Sequence, residues 1–248
     1  MSFMRDSRKR KAFIALLSVC LALAVIVAAC SIYLGSYYKA DEIAISAFLP
    51  DGCEWKVESN GNIVIEPKNA TRGFIFYPGG KVEHTAYIPL MQACAEEGVL
   101  CIIVDMPFRL AVLDMNAADG IRELYPQIKE WYIGGHSLGG AMAASYVEKH
   151  TDDYEGLILL GAYSTADLSD TDLKVLSLYG SEDGVMDRAK YEECRPNLPS
   201  GAVEIVIDGG CHAYFGMYGE QKGDGASRIE PEDQIRQSAD AIIDIMTS

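Results

Sequence analysis

Apolar positions fall into three kinds of pattern along the chain. The first is a run from Ala12 to Leu34 that holds no charged residue over 23 positions. As a helix rising 1.5 Å per residue, such a run is long enough to cross a hydrocarbon core of about 30 Å. The second is a pair of short stretches, Glu54 to Val57 and Asn62 to Glu66, set about the turn Ser59-Asn60-Gly61, which predicts an antiparallel start. From Gly73 onward the third pattern takes over, in which continuous apolar runs alternate with amphipathic stretches. The runs are Gly73 to Tyr77, Val99 to Asp105, Glu130 to Gly134, Gly156 to Gly161, Lys174 to Tyr179 and Ala202 to Ile207. Strands that are apolar on both sides belong in a mostly parallel sheet covered on both faces.

Helices are predicted between these strands over His84–Glu97, Asn116–Tyr125, Leu138–His150 and Asp187–Cys194, with a last one over Pro231–Met246 that opens on proline and acids. Residues 41–49 read as a short helix or linker. The expected fold class is α/β, with a mostly parallel central sheet and helices on both faces. The expected organisation is a basic segment over 1–11, the apolar segment over 12–34, a linker over 35–50 and one domain over 51–248. About 210 residues suit one sizeable core. The connection from Gly161 to Lys174 is too short for a large lid domain.

Charge changes this picture at the N-terminus. The first 34 residues hold five of the 21 basic residues and one of the 36 acidic ones, leaving 16 basic against 35 acidic in the rest. So acidic a domain repels phosphate backbones, and nucleic acid is not an expected partner. Arg5, Arg8, Lys9, Arg10 and Lys11 precede the apolar run, and Tyr33, Tyr37 and Tyr38 follow it. That asymmetry predicts a membrane anchor with a cytoplasmic N-terminus and an extracytoplasmic domain. Val27-Ala28-Ala29-Cys30 also resembles a lipobox, whose cleavage and lipidation at Cys30 would export the domain equally. An uncleaved anchor is the preferred reading, because Ile32, Tyr33 and Leu34 continue the apolar run past Cys30.

Outside that segment stand five cysteines, Cys53, Cys94, Cys101, Cys194 and Cys211. An oxidising compartment permits disulfides, and Cys194 with Cys211 is the pair to test first, since both are expected near the same sheet edge. No Cys-x-x-Cys spacing points to structural zinc, and no cofactor is expected. The sequence leaves the oligomeric state open.

The candidate chemistry starts from Gly135-His136-Ser137-Leu138-Gly139, a Gly-x-Ser-x-Gly pattern with the strand Trp131-Tyr132-Ile133 before it and a small-residue helix after it. In that context the serine occupies a strained strand-to-helix turn, a nucleophile elbow. A hydroxyl needs an imidazole to take its proton and a carboxylate to orient the imidazole, here expected in the chain order serine, acid, histidine. Of four histidines only His150 and His212 follow Ser137, and His150 ends a helix that leads away. His212 directly follows the last predicted strand and is the expected general base. Asp183, after the strand Lys174 to Tyr179, is the expected orienting acid, with Glu182, Asp187 and Asp208 as rivals. An oxyanion needs two backbone N–H donors. One is expected from Leu138 and the other from Gly80 or Lys81, in the glycine loop Tyr77-Pro78-Gly79-Gly80-Lys81-Val82.

Five stretches carry a resemblance: Phe76-Tyr77-Pro78-Gly79-Gly80-Lys81-Val82, Asp105-Met106-Pro107-Phe108, Gly134 to Gly140, Tyr179-Gly180-Ser181-Glu182-Asp183, and Gly209 to Gly216. Together they resemble the α/β-hydrolase superfamily, and more narrowly a dienelactone-hydrolase-like group with membrane-anchored bacterial members. The resemblance implies an α/β-hydrolase fold, a Ser137, Asp183 and His212 triad, and hydrolysis of a small ester or similar acyl substrate. Acyl transfer, amide cleavage and a non-catalytic binding role on the same fold are the alternatives. True dienelactone hydrolases carry a cysteine nucleophile where this chain has Ser137, so their substrate does not carry over. The glycine-rich stretch 215–225 reads as a wall of the site or, at Asp224, as a plain turn.

Overall fold

The computed structural model describes residues 2–50 and 53–248. It divides into two compact units, residues up to Tyr37 and Tyr38–Ser248. The first is a single helix, α1 (Ser2–Gly35). Its stretch Arg10–Gly35, 26 residues, is long and apolar enough to cross a membrane.

In the second unit, eight strands form one sheet in the order β1-β2-β4-β3-β5-β6-β7-β8. β1 (Lys56–Val57) and β2 (Ile63–Ile65) pair antiparallel, and β2 joins β4 (Val99–Ile103) antiparallel as well. β3 (Arg72–Tyr77), β4, β5 (Glu130–His136), β6 (Gly156–Leu160), β7 (Lys174–Gly180) and β8 (Val203–Ile207) run parallel. Each lies within a few residues of its predicted bounds.

Side chains alternate along each strand, so the sheet feeds two cores. Phe74 and Phe76 of β3, Tyr132 of β5, Leu160 of β6 and Leu178 of β7 share one core with α3 (Ile88–Glu96) and α6 (Pro231–Thr247). Ile75, Tyr77, Ile133, Leu159 and Val175 pack on the other face with α4 (Leu138–Val147) and the crossover after β4. The parallel strands all end on one edge, where their loops converge. No helix interrupts the β6–β7 connection, and among the described residues there is no large lid domain.

Three expectations are corrected. Residues 35–50 are not all linker: the compact unit begins at Tyr38, while the expected start at residue 51 lies outside the described residues. Tyr38 N–H donates to Lys81 O at 2.8 Å and Asp41 N–H to Met217 O at 2.8 Å, and Ile45 of α2 (Glu42–Phe48) is buried in the core. The helix predicted over Asn116–Tyr125 is a series of turns. Tyr77 Oη donates to Met115 O and accepts from Ala118 N–H, diverting backbone groups that a helix would pair, and Gly120 is left-handed at φ 77°. Finally, no disulfide joins Cys194 to Cys211; both are buried free thiols.

Candidate active site

Ser137 sits between β5 and α4 with φ 52° and ψ −121°, a conformation rarely adopted by a residue with a Cβ. Close backbone packing holds it there. Its N–H donates to Leu160 O at 2.9 Å, at the end of β6. A Cβ on Gly135 would collide with Tyr77 O, and one on Gly139 with Tyr77 O and Pro78 O, so the elbow and the loop after β3 touch through bare backbone. Only glycine permits that approach.

The glycine loop lies beside the first turn of α4. A Cβ on Gly80 would stand 3.0 Å from Leu138 Cδ2, which places Gly80 next to Leu138. Among the described residues nothing accepts from the Gly80 N–H. Lys81, the alternative donor, is excluded: its N–H is committed to Arg109 O at 2.8 Å. The loop is further fixed by a buried chain missed in the sequence. Gly79 N–H donates to Tyr87 Oη at 3.1 Å, and Tyr87 Oη shares a 2.8 Å hydrogen bond with His136 Nδ1. Burial raises the Tyr87 phenol far above its ordinary range, so it stays protonated.

Asp183 and His212 come together. His212 Nδ1 lies 2.8 Å from Asp183 Oδ2, with 1% and 0% of the two side chains exposed. Asp183 Oδ1 accepts from Val185 N–H at 2.9 Å and Met186 N–H at 2.8 Å, which fixes the carboxylate's orientation. His212 Nε2 is buried with no hydrogen-bond partner. The His212 ring lies 4.5 Å, centroid to centroid, from that of His136, the residue before Ser137. Gly161, left-handed at φ 52°, leaves room for the pair; its Cβ would stand 2.9 Å from His212 Nδ1. Burial, and after it the charge of a protonated His212, pushes His136 well below the ordinary histidine range. The second imidazole at the site is therefore neutral near pH 7.

The rival acids lie elsewhere. Asp208 pairs with Arg228 at 2.6 Å, Glu182 also bonds Arg228, and Asp187 caps α5 (Arg188–Cys194) by accepting from Lys190 N–H. His150 stacks on Tyr146 beside Asp153, away from the sheet edge that carries Ser137.

The loop that carries His212 is held by two side chains that sequence reasoning did not single out for this purpose. Gln234 of α6, fully buried, clamps Cys211 by accepting from its N–H at 2.9 Å and donating to its carbonyl at 2.7 Å. Asp224 accepts from the N–H groups of His212 and Ala213. Among the described residues no three His, Cys, Asp or Glu side chains converge on a metal-sized site.

A family model for the alpha/beta hydrolase family matches residues 73–236, a span that runs from β3 into α6. The chain belongs to that family. The hydrolase fold is also shared with solved structures of low sequence identity. One, described as a predicted CIB-like hydrolase from Thermoplasma acidophilum, is 18% identical with a TM-score of 0.56, over 77% of this chain and 98% of that one. Est1E from Butyrivibrio proteoclasticus is 13% identical with a TM-score of 0.58, over 80% of this chain and all of its own, and has also been solved with ferulic acid bound. TT1662 from Thermus thermophilus is 14% identical with a TM-score of 0.57, over 79% and 99%. No curated protein matches the sequence.

Proposed function

We propose that this alpha/beta hydrolase is a membrane-anchored serine esterase in which Ser137 attacks, His212 acts as general base and acid, and Asp183 orients the imidazole. The observation that carries this reading is the buried Asp183–His212 pair, with Nδ1 tied to the carboxylate, Nε2 unpartnered among the described residues, and the imidazole packed 4.5 Å from the ring of His136, the residue before the serine on its strained turn. Nε2 takes the Ser137 hydroxyl proton as Oγ bonds to the acyl carbon. The oxyanion that forms is met by the N–H groups of Leu138 and Gly80. The ester C–O bond then breaks, the leaving alcohol takes the proton from Nε2, and an acyl-Ser137 remains. Water, activated by His212 in the same way, releases the carboxylic acid and restores the hydroxyl. Among the described residues the resting Nε2 has no hydrogen-bond partner, and catalytic bonds of this kind commonly tighten only once substrate is bound.

The apolar N-terminal helix and the basic residues before it support an anchor with the hydrolase domain outside the cytoplasm. A reporter enzyme that folds only outside the cytoplasm, fused at Ser248, is expected to be active. The chemistry is tested with the full chain in detergent, treated with a fluorophosphonate probe and a short-chain aryl ester beside Ser137→Ala and His212→Ala. The unmodified protein is expected to label and turn over, and both variants to lose turnover by about 10⁴-fold or more. An unmodified protein that neither labels nor turns over refutes the hydrolase reading. Labelling that persists in Ser137→Ala moves the nucleophile elsewhere.

A further inference from the structure

We propose that Asp224 is a positioning residue that holds His212 and Asp183 in register, by accepting backbone N–H groups from the loops that carry both. The inference rests on the proposed roles of those two residues. An aspartate that merely makes a turn accepts from N–H groups one to three positions away. Asp224 does so once, from Gly225 at 2.9 Å, but its other three donors are distant in sequence. Oδ1 accepts from His212 N–H at 3.1 Å and from Gly184 N–H at 3.1 Å, and Oδ2 accepts from Ala213 N–H at 2.8 Å. His212 and Ala213 belong to the base loop, and Gly184 directly follows the acid, Asp183. One carboxylate therefore spans both members of the pair, and neither loop can shift without giving up a charge-assisted bond.

The surrounding glycines are arranged for this. A Cβ on Gly184 would stand 2.7 Å from Gly223 O and 2.9 Å from Gly225 N, and one on Gly225 would collide with Glu182 O. The backbones of 182–184 and 223–225 are thus in direct contact, and Gly223 turns through φ 94° to deliver Asp224 between the two loops. Asp224 also lines a cavity of about 220 Å³ together with Cys211 and Ala213 of the base loop and with Glu220 and Ser227. Loss of the carboxylate would open the base loop toward that cavity and let water compete for the freed N–H groups.

An amide cannot replace this group. Asp224→Asn keeps one oxygen for up to three donors but presents an NH2 to the remaining N–H, whichever way it is turned. The test uses the full chain in detergent, with Asp224→Ala, Asp224→Asn and, as a control at an exposed carboxylate outside the segment, Glu230→Gln. Turnover is expressed per active site, counted by end-point fluorophosphonate labelling, so that misfolded protein drops out. Asp224→Ala is expected to lose about 100-fold and Asp224→Asn about 10-fold in kcat, with KM within about twofold, because a displaced base harms the reaction more than binding. The far-downfield proton resonance of His212 Nδ1–H is expected to broaden or vanish in both variants, and Glu230→Gln to behave as the unmodified protein.

If kcat per labelled site stays within about threefold and the resonance is unchanged while only Tm falls, Asp224 is a structural cap and the inference is overturned. Should neither variant fold, amide hydrogen exchange in the unmodified protein decides: strong protection at Gly184, His212 and Ala213 supports the bridge, and rapid exchange there overturns it. Should the unmodified protein show no turnover, the esterase reading fails by itself. The resonance still reports whether Asp224 holds the Asp183–His212 pair.

Discussion

Around Ser137 the site is built from backbone against backbone, with no room for a Cβ at Gly135 or Gly139. Around His212 it is built from side-chain oxygens that reach in to cap loop N–H groups: Asp183 over Val185 and Met186, Asp224 over His212 and Ala213, Gln234 over Cys211. The first half derives its shape from the strand-to-helix turn itself and is bound to the sheet. The second is assembled from three separated stretches of chain and depends on two carboxylates, Asp183 buried and Asp224 half-buried, and an amide finding their donors. A damaging substitution should therefore act differently in the two halves, on folding in the first and on alignment in the second.

The largest effect expected from a nearly isosteric change tests the second half. Asp183→Asn keeps the size of the side chain but turns an acceptor toward or away from His212 Nδ1 without the charge that holds the imidazolium. A loss of about 10³- to 10⁴-fold in kcat is expected, with the melting temperature lowered by only a few degrees. Steady-state kinetics and thermal melting on one preparation check it. A loss below about tenfold would mean that Asp183 does not orient the base.

In the first half, Gly139→Ala forces a methyl group into Tyr77 O and Pro78 O, both backbone atoms that cannot move alone. A destabilisation of about 3 kcal/mol or more is expected in denaturant unfolding. Gly80→Ala is the contrast, because its Cβ meets the Leu138 side chain, 3.0 Å from Cδ2 and 3.3 Å from Cβ, and no backbone atom is among its nearest contacts. It should cost under about 1 kcal/mol of stability, while slowing fluorophosphonate labelling by crowding the oxyanion donors. Equal destabilisation by the two alanines would mean that the backbone contact of Gly139 with Tyr77 O and Pro78 O carries no special cost.

The same contrast explains what was legible in the sequence. The elbow is a local pattern: strand, Gly-x-Ser-x-Gly and helix occupy one continuous stretch, and continuous apolar runs announce parallel strands without knowledge of their partners. That Asp183 and His212 would meet was legible by position, each standing just past a strand, and their side chains lie 2.8 Å apart. Asp224 and Gln234 were not, because their meaning lies in bonds to residues 11 to 40 positions away. The crossover at 116–125 has helix-compatible composition, but Tyr77 Oη competes for its backbone, a tertiary effect no local pattern records. Residues 38–50 likewise look like tether until Tyr38 is seen pairing beside Val82.

His136 lies where the two halves meet, bonded to Tyr87 on the nucleophile side and packed against His212 on the other. Its folded state refuses a proton, mainly because burial penalises the charge. The unfolded chain accepts that proton below about pH 6.5, the ordinary value. Below that pH the unfolded state binds more protons than the folded one, so stability is full above pH 6.5 and is lost as pH falls. Each pH unit below that value costs up to about 1.4 kcal/mol from this one residue. Carboxylate contributions are common to the unmodified protein and to His136→Gln, whose amide can still bond Tyr87 Oη. Urea unfolding at pH 7.5 and 5.5 is therefore expected to show the unmodified protein losing about 1 kcal/mol more than the variant. An equal loss in both would mean that His136 takes up a proton in the folded state despite its burial.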